Sequence, residues 1–527
     1  MGSATNAPRS GEASREGFFD QDWRGLAILL VLCGIIIVLR WVKIESLYNN
    51  DTSMWLFQIS RFAHGELPYR DFSWNYPPLT IFLLGWIAQI FGATFSVLQA
   101  AMDVISLVVV LLCWWLARHI LPASTRFVTI AATVAVCATS LTKFNLFSFA
   151  TYSPSLEIAT AGLLMLMIGG VRQLKNGASA AGDFALISAG LFIATVTKPE
   201  ALAAGWAALV LLIGLDAARR WRWYIGIAAA GALPSAIVYV WVGSLVGFGP
   251  MKAGIGGYGL ASFACPWWPT GLGLFGTVAC TGEAAFLAAI LIWPFRRSLR
   301  AEYARRISLL WGAGAAGLIV FAAYVWYQCG AVLLSDDPAV DKLNAFAQSV
   351  IWTSPALLPA MWASICVWIG LLPQWRRMTL ASKILFFVIS VPVAMSVRSL
   401  FGTTLFPVTE VSAMCYPFFV IVAALLIEAL YRVFLLQRGS SATVAIWIVL
   451  GGYAVLRFVG AFPTQLSNRP FYSLKTRAGT VRLSDGHLSE QIYRYVVEHT
   501  NPGDALFDLP YGGGFNFAAG LHSPAFT

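Results

Sequence analysis

A carboxylate stands just after the first long apolar run, inside the polar stretch Asn49 to Ser53. Asp51 precedes a predicted amphipathic helix whose apolar face carries Trp55, Ile59, Phe62 and Ala63. A carboxylate at this place can act as a general base that removes a proton from a hydroxyl group. It can equally cap the helix, a role that its polar neighbours would also fill. Spacing alone leaves both roles open for Asp51.

Basic residues near the ends of apolar runs form the second group of candidate functional residues. An isolated Lys or Arg at such a place extends its charge to lipid headgroups, whereas several that converge can hold a phosphate. Lys198 and Arg398 lie beside predicted helix ends, where a phosphate would dock. The other candidates are Lys143, near the end of the apolar run 127–146 that we predict to face outward, and Arg61 and Arg70 in the loop 44–97 after the first apolar run. His64, in that same loop, either assists proton movement or is merely solvated.

The composition sets the class of protein that must position these groups. Of the 527 residues, 58% are hydrophobic and 11% are charged, against about 25% charged residues in ordinary soluble domains. The long apolar runs are typical of helices that cross a bilayer, and they exclude the alternating segments of a membrane β-barrel. We therefore predict an all-α polytopic membrane protein. The eight Cys residues have no C-x-x-C spacing and predict no metal site.

We predict about 13 transmembrane helices, each ending where charged residues collect. They cover about 25–43, 98–117, 127–146, 156–170, 184–197, 201–216, 224–244, 273–294, 307–327, 351–372, 383–397, 413–430 and 442–461. The apolar run 77–93 is interpreted as a helix that dips into the membrane without crossing it. Six loops on one side then hold 17 Lys or Arg against one acid, Glu302. The positive-inside rule places these loops and the N-terminus inside and the C-terminus outside.

This topology divides the chain into three parts and accounts for its charge. Residues 1–24 form a cytoplasmic tail, 25–461 form the membrane domain with an outer loop at 44–97 that carries interfacial helices, and 462–527 form a small outer α/β segment. The net charge of +10 would indicate nucleic acid in a soluble protein, but here the inner loops explain it. The end soon after Gly512-Gly513-Gly514 indicates a longer natural chain or a tail packed on the membrane domain.

The first outer loop also resembles a known family. Its acid after the first span and its aromatic helix are followed by a turn from Gly65 to Tyr69. Then Tyr76-Pro77-Pro78-Leu79 opens an apolar helix that ends at Phe91-Gly92. This pattern resembles the GT-C glycosyltransferase superfamily, with the protein O-mannosyltransferases and the lipid A aminoarabinose transferases as the nearest comparisons. The likeness continues at Phe149 to Leu164, at Thr197-Lys198-Pro199-Glu200 and, loosely, at Leu509 to Pro524.

The resemblance implies that a sugar passes from a polyprenyl-phosphate donor to an acceptor hydroxyl at the outer face. Asp51 matches the family's first-loop carboxylate and becomes the candidate base, with Tyr76 and His64 among the candidate substrate-binding residues. Where the family often has a second acid, this chain has Ser153. Glu157, one turn further, could replace that acid, although a carboxylate at a helix start is also favoured by the helix dipole. We therefore predict no required metal or other cofactor, although a divalent metal stays open.

The resemblance also implies a location and partners. The protein would lie in the bacterial inner membrane with its site on the periplasmic face, among membrane lipids. It would bind the lipid-linked donor and a glycan, lipid or protein acceptor. The alternative is a secondary transporter or lipid flippase, which the topology alone favours strongly. Transporters tend to contain repeats and helices broken near the midplane, and no convincing repeat is found in this sequence, so the enzyme is preferred.

Overall fold

The computed structural model describes residues 16–44, 47, 50–138, 146–148, 154–177, 180–216, 220–261, 378–400, 416–435, 439–456, 471–506 and 513–522. The N-terminal part runs α1 (Glu16–Arg40), β1 (Lys43–Ile44), α2 (Asn50–Ala63), α3 (Leu79–Phe91), α4 (Phe95–Ile120), α5 (Ala123–Ala138), α6 (Pro154–Asn176), α7 (Ala181–Thr195), α8 (Pro199–Leu215), α9 (Trp221–Val246) and α10 (Phe248–Ala261). After the gap come α11 (Leu380–Leu400), α12 (Tyr416–Leu435), α13 (Gly439–Ile446), a π-helical turn (Trp447–Gly451) and α14 (Gly452–Leu456). The last segment holds β2 (Tyr472–Thr476), β3 (Gly479–Leu483), α15 (Leu488–His499) and α16 (Gly514–Ala519).

The molecule is a membrane protein by the length and hydropathy of its helices. Among the described residues, four helices are long and apolar enough to cross a bilayer: Trp23–Arg40 within α1, and α4, α6 and α9. Shorter apolar helices include α5, α7 and α8. Apolar side chains on α1 and α9, among them Val38 and Ile237, are well exposed, as expected where lipid replaces water. The predicted spans at 273–294, 307–327 and 351–372 lie outside the described residues, so the total of 13 stays a prediction.

The helices of the membrane domain pack around α6. Nearly all of its side chains are buried, and it contacts α4, α7, α8 and α11. A Cβ added to Gly190 on α7 would lie 2.4 Å from the carbonyl oxygen of Gly162 on α6. The two backbones can meet this closely only because both positions lack a side chain, a common device in membrane helix pairs.

A second core lies at the ends of these helices that the sequence predicts to face outward. It combines α2, α3, the first turn of α4, the end of α9 and the C-terminal segment. The sheet has the order β1-β3-β2, in which β1 runs parallel and β2 antiparallel to β3. The strand Lys43–Ile44 was not expected from the sequence, since two residues give no detectable alternation. Through it, the chain just after α1 and the C-terminal segment share one sheet.

The apolar run 77–93 forms the short helix α3 with 13 residues. At a rise of about 1.5 Å per residue it is about 20 Å long, shorter than the roughly 30 Å hydrocarbon core. Its N-terminus is fixed where the Leu79 N–H donates to the Val196 carbonyl in the turn between α7 and α8. Because α7, a predicted span, is only two residues longer, the length of α3 does not decide the matter, and the non-crossing helix stays a prediction.

Candidate functional site

Helix α2 carries the predicted base at its start and buries its apolar face in the second core. Asp51 is the second residue of this helix, and Trp55, one turn later, is buried. Asp51 is described through its backbone only, and the same holds for Arg398 in the last turn of α11. Lys143 and Ser153 lie outside the described residues.

Three aromatic rings form a compact cluster beside α2. Trp55 stacks on Tyr76 with ring centroids 5.4 Å apart, and Trp74 meets Trp55 edge-on at 4.6 Å. The Tyr69 hydroxyl donates to the Tyr76 carbonyl at 2.5 Å, which fixes the backbone of Tyr76. Burial raises the pKa of Tyr69 well above its usual value, so this hydroxyl stays a donor. Trp55 and Trp74 are buried, whereas Tyr76 is half-buried at the edge of the cluster.

Lys198 brings a positive charge to this cluster from a distant part of the sequence. It precedes Pro199 at the N-terminus of α8, and its Nζ lies 5.2 Å from the centroid of the Tyr76 ring. An ammonium over an aromatic face is held by the ring quadrupole. The Lys198 side chain is only 6% exposed. The structure therefore unites the Tyr76-Pro77-Pro78 and Thr197-Lys198-Pro199 motifs, which the sequence separates by about 120 residues.

The two first-loop arginines have partners inside the loop. Arg61 donates to the Glu66 carboxylate at 2.6 Å and to the Asp71 carbonyl at 2.7 Å. Arg70 makes two hydrogen bonds of 2.9 Å to the Asp71 carboxylate. The hydrogen bond from Arg70 is the largest cause of the lowered pKa of Asp71. Arg61 is buried, so its contacts explain it as a support of the loop rather than as a phosphate ligand.

His64 lies away from the aromatic cluster, at the contact between the first loop and the C-terminal segment. Its Nδ1 is 2.7 Å from the Ser60 carbonyl, one turn earlier in α2. Its ring faces that of His522 at 6.5 Å, and His522 lies 3.9 Å from Glu66. His64 is exposed. These contacts bind it to the end of α2, and they do not bring it to Tyr76 or Lys198.

Glu157 is enclosed between α4 and α6. It is fully buried and accepts a hydrogen bond of 2.7 Å from the Ser106 hydroxyl. The Phe147 N–H donates to the same hydroxyl at 2.9 Å. The sequence placed Glu157 as a replacement for the second outer acid, but its carboxylate is turned into the helix contact. The hydrogen bond from Ser106 gives this buried carboxylate a polar partner between the two helices.

The sequence predicts that Asp103, near the outer end of its span, pairs with a nearby cation such as Arg61 or Lys143, of which Lys143 lies outside the described residues. It accepts a hydrogen bond of 2.8 Å from Gln99, one turn earlier on α4. Arg61 is instead committed to Glu66. The spacing of Gln99 and Asp103 could have predicted this contact, because residues four apart on one helix are neighbours. Trp74 was also missed as a site residue, although the density of aromatic residues around it in the first loop was a usable signal.

Comparison with known proteins addresses the fold. No family model matches this chain, and no curated protein matches it in sequence. The oligosaccharyltransferase AglB from Archaeoglobus fulgidus, solved with an inhibitory peptide and a dolichol-phosphate, aligns with 96% of this chain at 12% identity and a TM-score of 0.50. The chain has the GT-C fold. This confirms the resemblance seen in the first outer loop, and at this identity it establishes the fold alone.

This chain aligns with different shares of the length of two proteins of this fold. The chain spans 65% of the length of AglB, slightly less than two thirds. ArnT from Cupriavidus metallidurans, solved with undecaprenyl phosphate, aligns with 94% of this chain and 85% of its own length, at 13% identity and a TM-score of 0.44.

Proposed function

We propose that this protein is a membrane glycosyltransferase that moves a sugar from a polyprenyl-phosphate donor to an acceptor hydroxyl at the outer face of the membrane. The observation that carries the proposal is the meeting of Lys198, Tyr76 and Trp55 at the helix whose second residue is Asp51. A protein of the same fold, AglB, was solved with dolichol-phosphate, a lipid phosphate of the proposed donor class. We place the site on the periplasmic face of a bacterial inner membrane.

The proposed reaction assigns one role to each group. Asp51 accepts the proton of the acceptor hydroxyl. At the same time the hydroxyl oxygen of the acceptor bonds to the anomeric carbon of the sugar. The bond between that carbon and the phosphate oxygen breaks, and the polyprenyl phosphate leaves with the bonding electrons. The Lys198 ammonium stabilises the negative charge that grows on this phosphate. Its buried setting strengthens the interaction, because less water competes for the charge.

Further residues complete the donor site in this proposal. Arg398 and Lys143 are proposed as additional phosphate ligands, and Tyr76 as the surface that orients both the Lys198 ammonium and the substrate. Asp51 is proposed to act without a metal, because Ser153 replaces the second acid and Glu157 is turned toward Ser106. A turnover rate unchanged by EDTA is expected. The acceptor is a hydroxyl-bearing molecule of a class that includes glycans, lipids and proteins.

The decisive experiment incubates the purified full chain with a panel of polyprenyl-phosphate sugars and candidate acceptors. Release of polyprenyl phosphate that depends on the acceptor supports the proposal. A parallel assay in vesicles follows movement of the lipid-linked sugar between leaflets. Movement without release would contradict the transferase and favour the flippase alternative. Asp51→Asn serves as the matched variant, since it keeps the shape of the side chain and removes the base.

A further inference from the structure

Leu47 joins the C-terminal segment to the start of α2. It lies four residues before Asp51 and is fully buried. Its N–H donates to the Ser489 hydroxyl of α15 at 3.0 Å. Its carbonyl accepts a hydrogen bond of 2.6 Å from the Ser53 hydroxyl in the first turn of α2. One residue is thus hydrogen-bonded to the C-terminal segment through its N–H and to the helix of the proposed base through its carbonyl.

Gly514 of the C-terminal segment packs against the same two groups, the Leu47 carbonyl and the Ser53 hydroxyl. A Cβ at this position would lie 2.0 Å from the Leu47 carbonyl oxygen and 2.7 Å from the Ser53 hydroxyl. The preceding Gly513 has φ +119°, a conformation that residues with a side chain rarely adopt. Any side chain at position 514 must therefore displace the backbone that leads into α2. The start of α16 and the start of α2 meet backbone to backbone.

Within the C-terminal segment, Ser489 is held in place by further hydrogen bonds. The Ser489 hydroxyl donates to the Asp485 carboxylate, which also accepts a hydrogen bond of 3.0 Å from the Ser489 N–H. Asp485 is itself bound by the Tyr472 hydroxyl at 2.6 Å. Because the hydroxyl proton of Ser489 is committed to Asp485, its lone pairs face the Leu47 N–H. The chain of contacts runs from β2 through α15 to Leu47.

We propose that Ser489 and Gly514 are positioning residues for the Asp51 carboxylate. They act through Leu47 and Ser53, which set where the chain enters α2. This inference rests on the proposed role of Asp51 as the base. Misplacement of a reacting group by about 1 Å can cost a hundredfold in rate, so a shift of this entry point should appear in turnover. The C-terminal segment then belongs to the catalytic unit.

The test compares Ser489→Ala and Gly514→Ala in the full chain with Ser473→Ala, which removes an exposed hydroxyl from β2 of the same segment. We expect the first two variants to lower kcat about tenfold or more, with the KM for the donor unchanged because Lys198 is untouched. Hydrogen exchange of the amides at 50–55 should become faster in both. Ser473→Ala should match the parent in all three measurements.

A merely structural role predicts a different pattern, in which the yield of folded protein falls but kcat per folded molecule and exchange at 50–55 stay parental. That result in Ser489→Ala overturns the inference. Where Gly514→Ala fails to fold, Ser489→Ala decides. Asp51→Asn is measured in parallel: if it alone is inactive, only the positioning role is wrong. If Asp51→Asn turns over at the parental rate, the assignment of the base is wrong and the positioning role is overturned with it.

Discussion

At the scale of single residues, Asp51 gives the sharpest prediction. A base matters more in the transition state than in the bound ground state, so its loss should reduce turnover rather than affinity. We expect Asp51→Asn to express, to melt within a few degrees of the parent and to bind the donor nearly as well. Its rate should fall about a hundredfold or more, measured as release of polyprenyl phosphate.

The capping role of Asp51 predicts the reverse. Asn is a good helix cap, so Asp51→Asn would be nearly silent in every measurement. Asp51→Ala would then cost about 1 kcal/mol of stability without a specific loss of turnover. Parental transfer by Asp51→Asn removes this residue from the mechanism.

Lys198 is the second residue whose role can be measured directly. Lys198→Ala removes a buried ammonium beside Tyr76, and we expect donor affinity to weaken by about 1.5–3 kcal/mol, the scale of a hydrogen bond to a charged group. Lys252→Ala is the matched control, because this lysine is exposed on α10. A titration with the polyprenyl-phosphate sugar measures both variants. Equal donor affinity in the two variants would return Lys198 to a structural role, and Arg398→Ala would then be the next substitution to measure.

Substitutions of Glu157 test whether this buried carboxylate has a structural or a catalytic role. Glu157→Gln retains an oxygen that accepts the Ser106 hydroxyl, so we expect a rate near that of the parent. Glu157→Ala leaves that hydroxyl without its acceptor and should destabilise the fold by about 1–3 kcal/mol, read as a lower melting temperature. A large loss of rate in Glu157→Gln at unchanged stability would make Glu157 the second acid that Ser153 fails to supply.

At the scale of elements, hydropathy predicted the long helices well because lipid exposure and helix burial both require continuous apolar runs. α4, α6 and α9 begin and end within about six residues of their predicted spans. The strand β1 could not be predicted, since its two residues form a strand only by pairing with β3, which lies more than 400 residues away. Helix α10 was also missed, because its glycine-rich sequence has weak helical propensity.

The candidate site shows the same division between local and distant information. The first-loop pattern identified Asp51 and Tyr76, and charge near a helix end identified Lys198. Which of the basic groups meet depends on contacts between distant elements. Arg61 is drawn to Glu66, five residues away, whereas Lys198 reaches Tyr76 across more than a hundred residues. Periodicity and residue type carry no information on such pairings.

At the scale of the whole molecule, the sheet constrains the topology. The strand β1 directly follows α1, and β3 follows the last predicted span, yet the two strands pair. Both must therefore lie on the same side of the membrane, which requires an even number of crossings between them. The predicted spans after the first number twelve. Counting 77–93 as one more would place β1 and β3 on opposite sides, so if all twelve predicted spans cross, the pairing requires that α3 does not.

Topology reporters test this arrangement directly. Reporters fused after Val97, Tyr152 and Pro269 should give an outer signal, and those after Thr125, Arg220 and Arg300 an inner one, since the basic loops stay inside. The fusion after Tyr152 is the most informative, because it follows α3 and two predicted spans. Inner signals both there and after Val97 would mean that α3 crosses the membrane and would separate Asp51 from Lys198. The contact of Lys198 with Tyr76 could not then form, and the proposed site would fail as a whole.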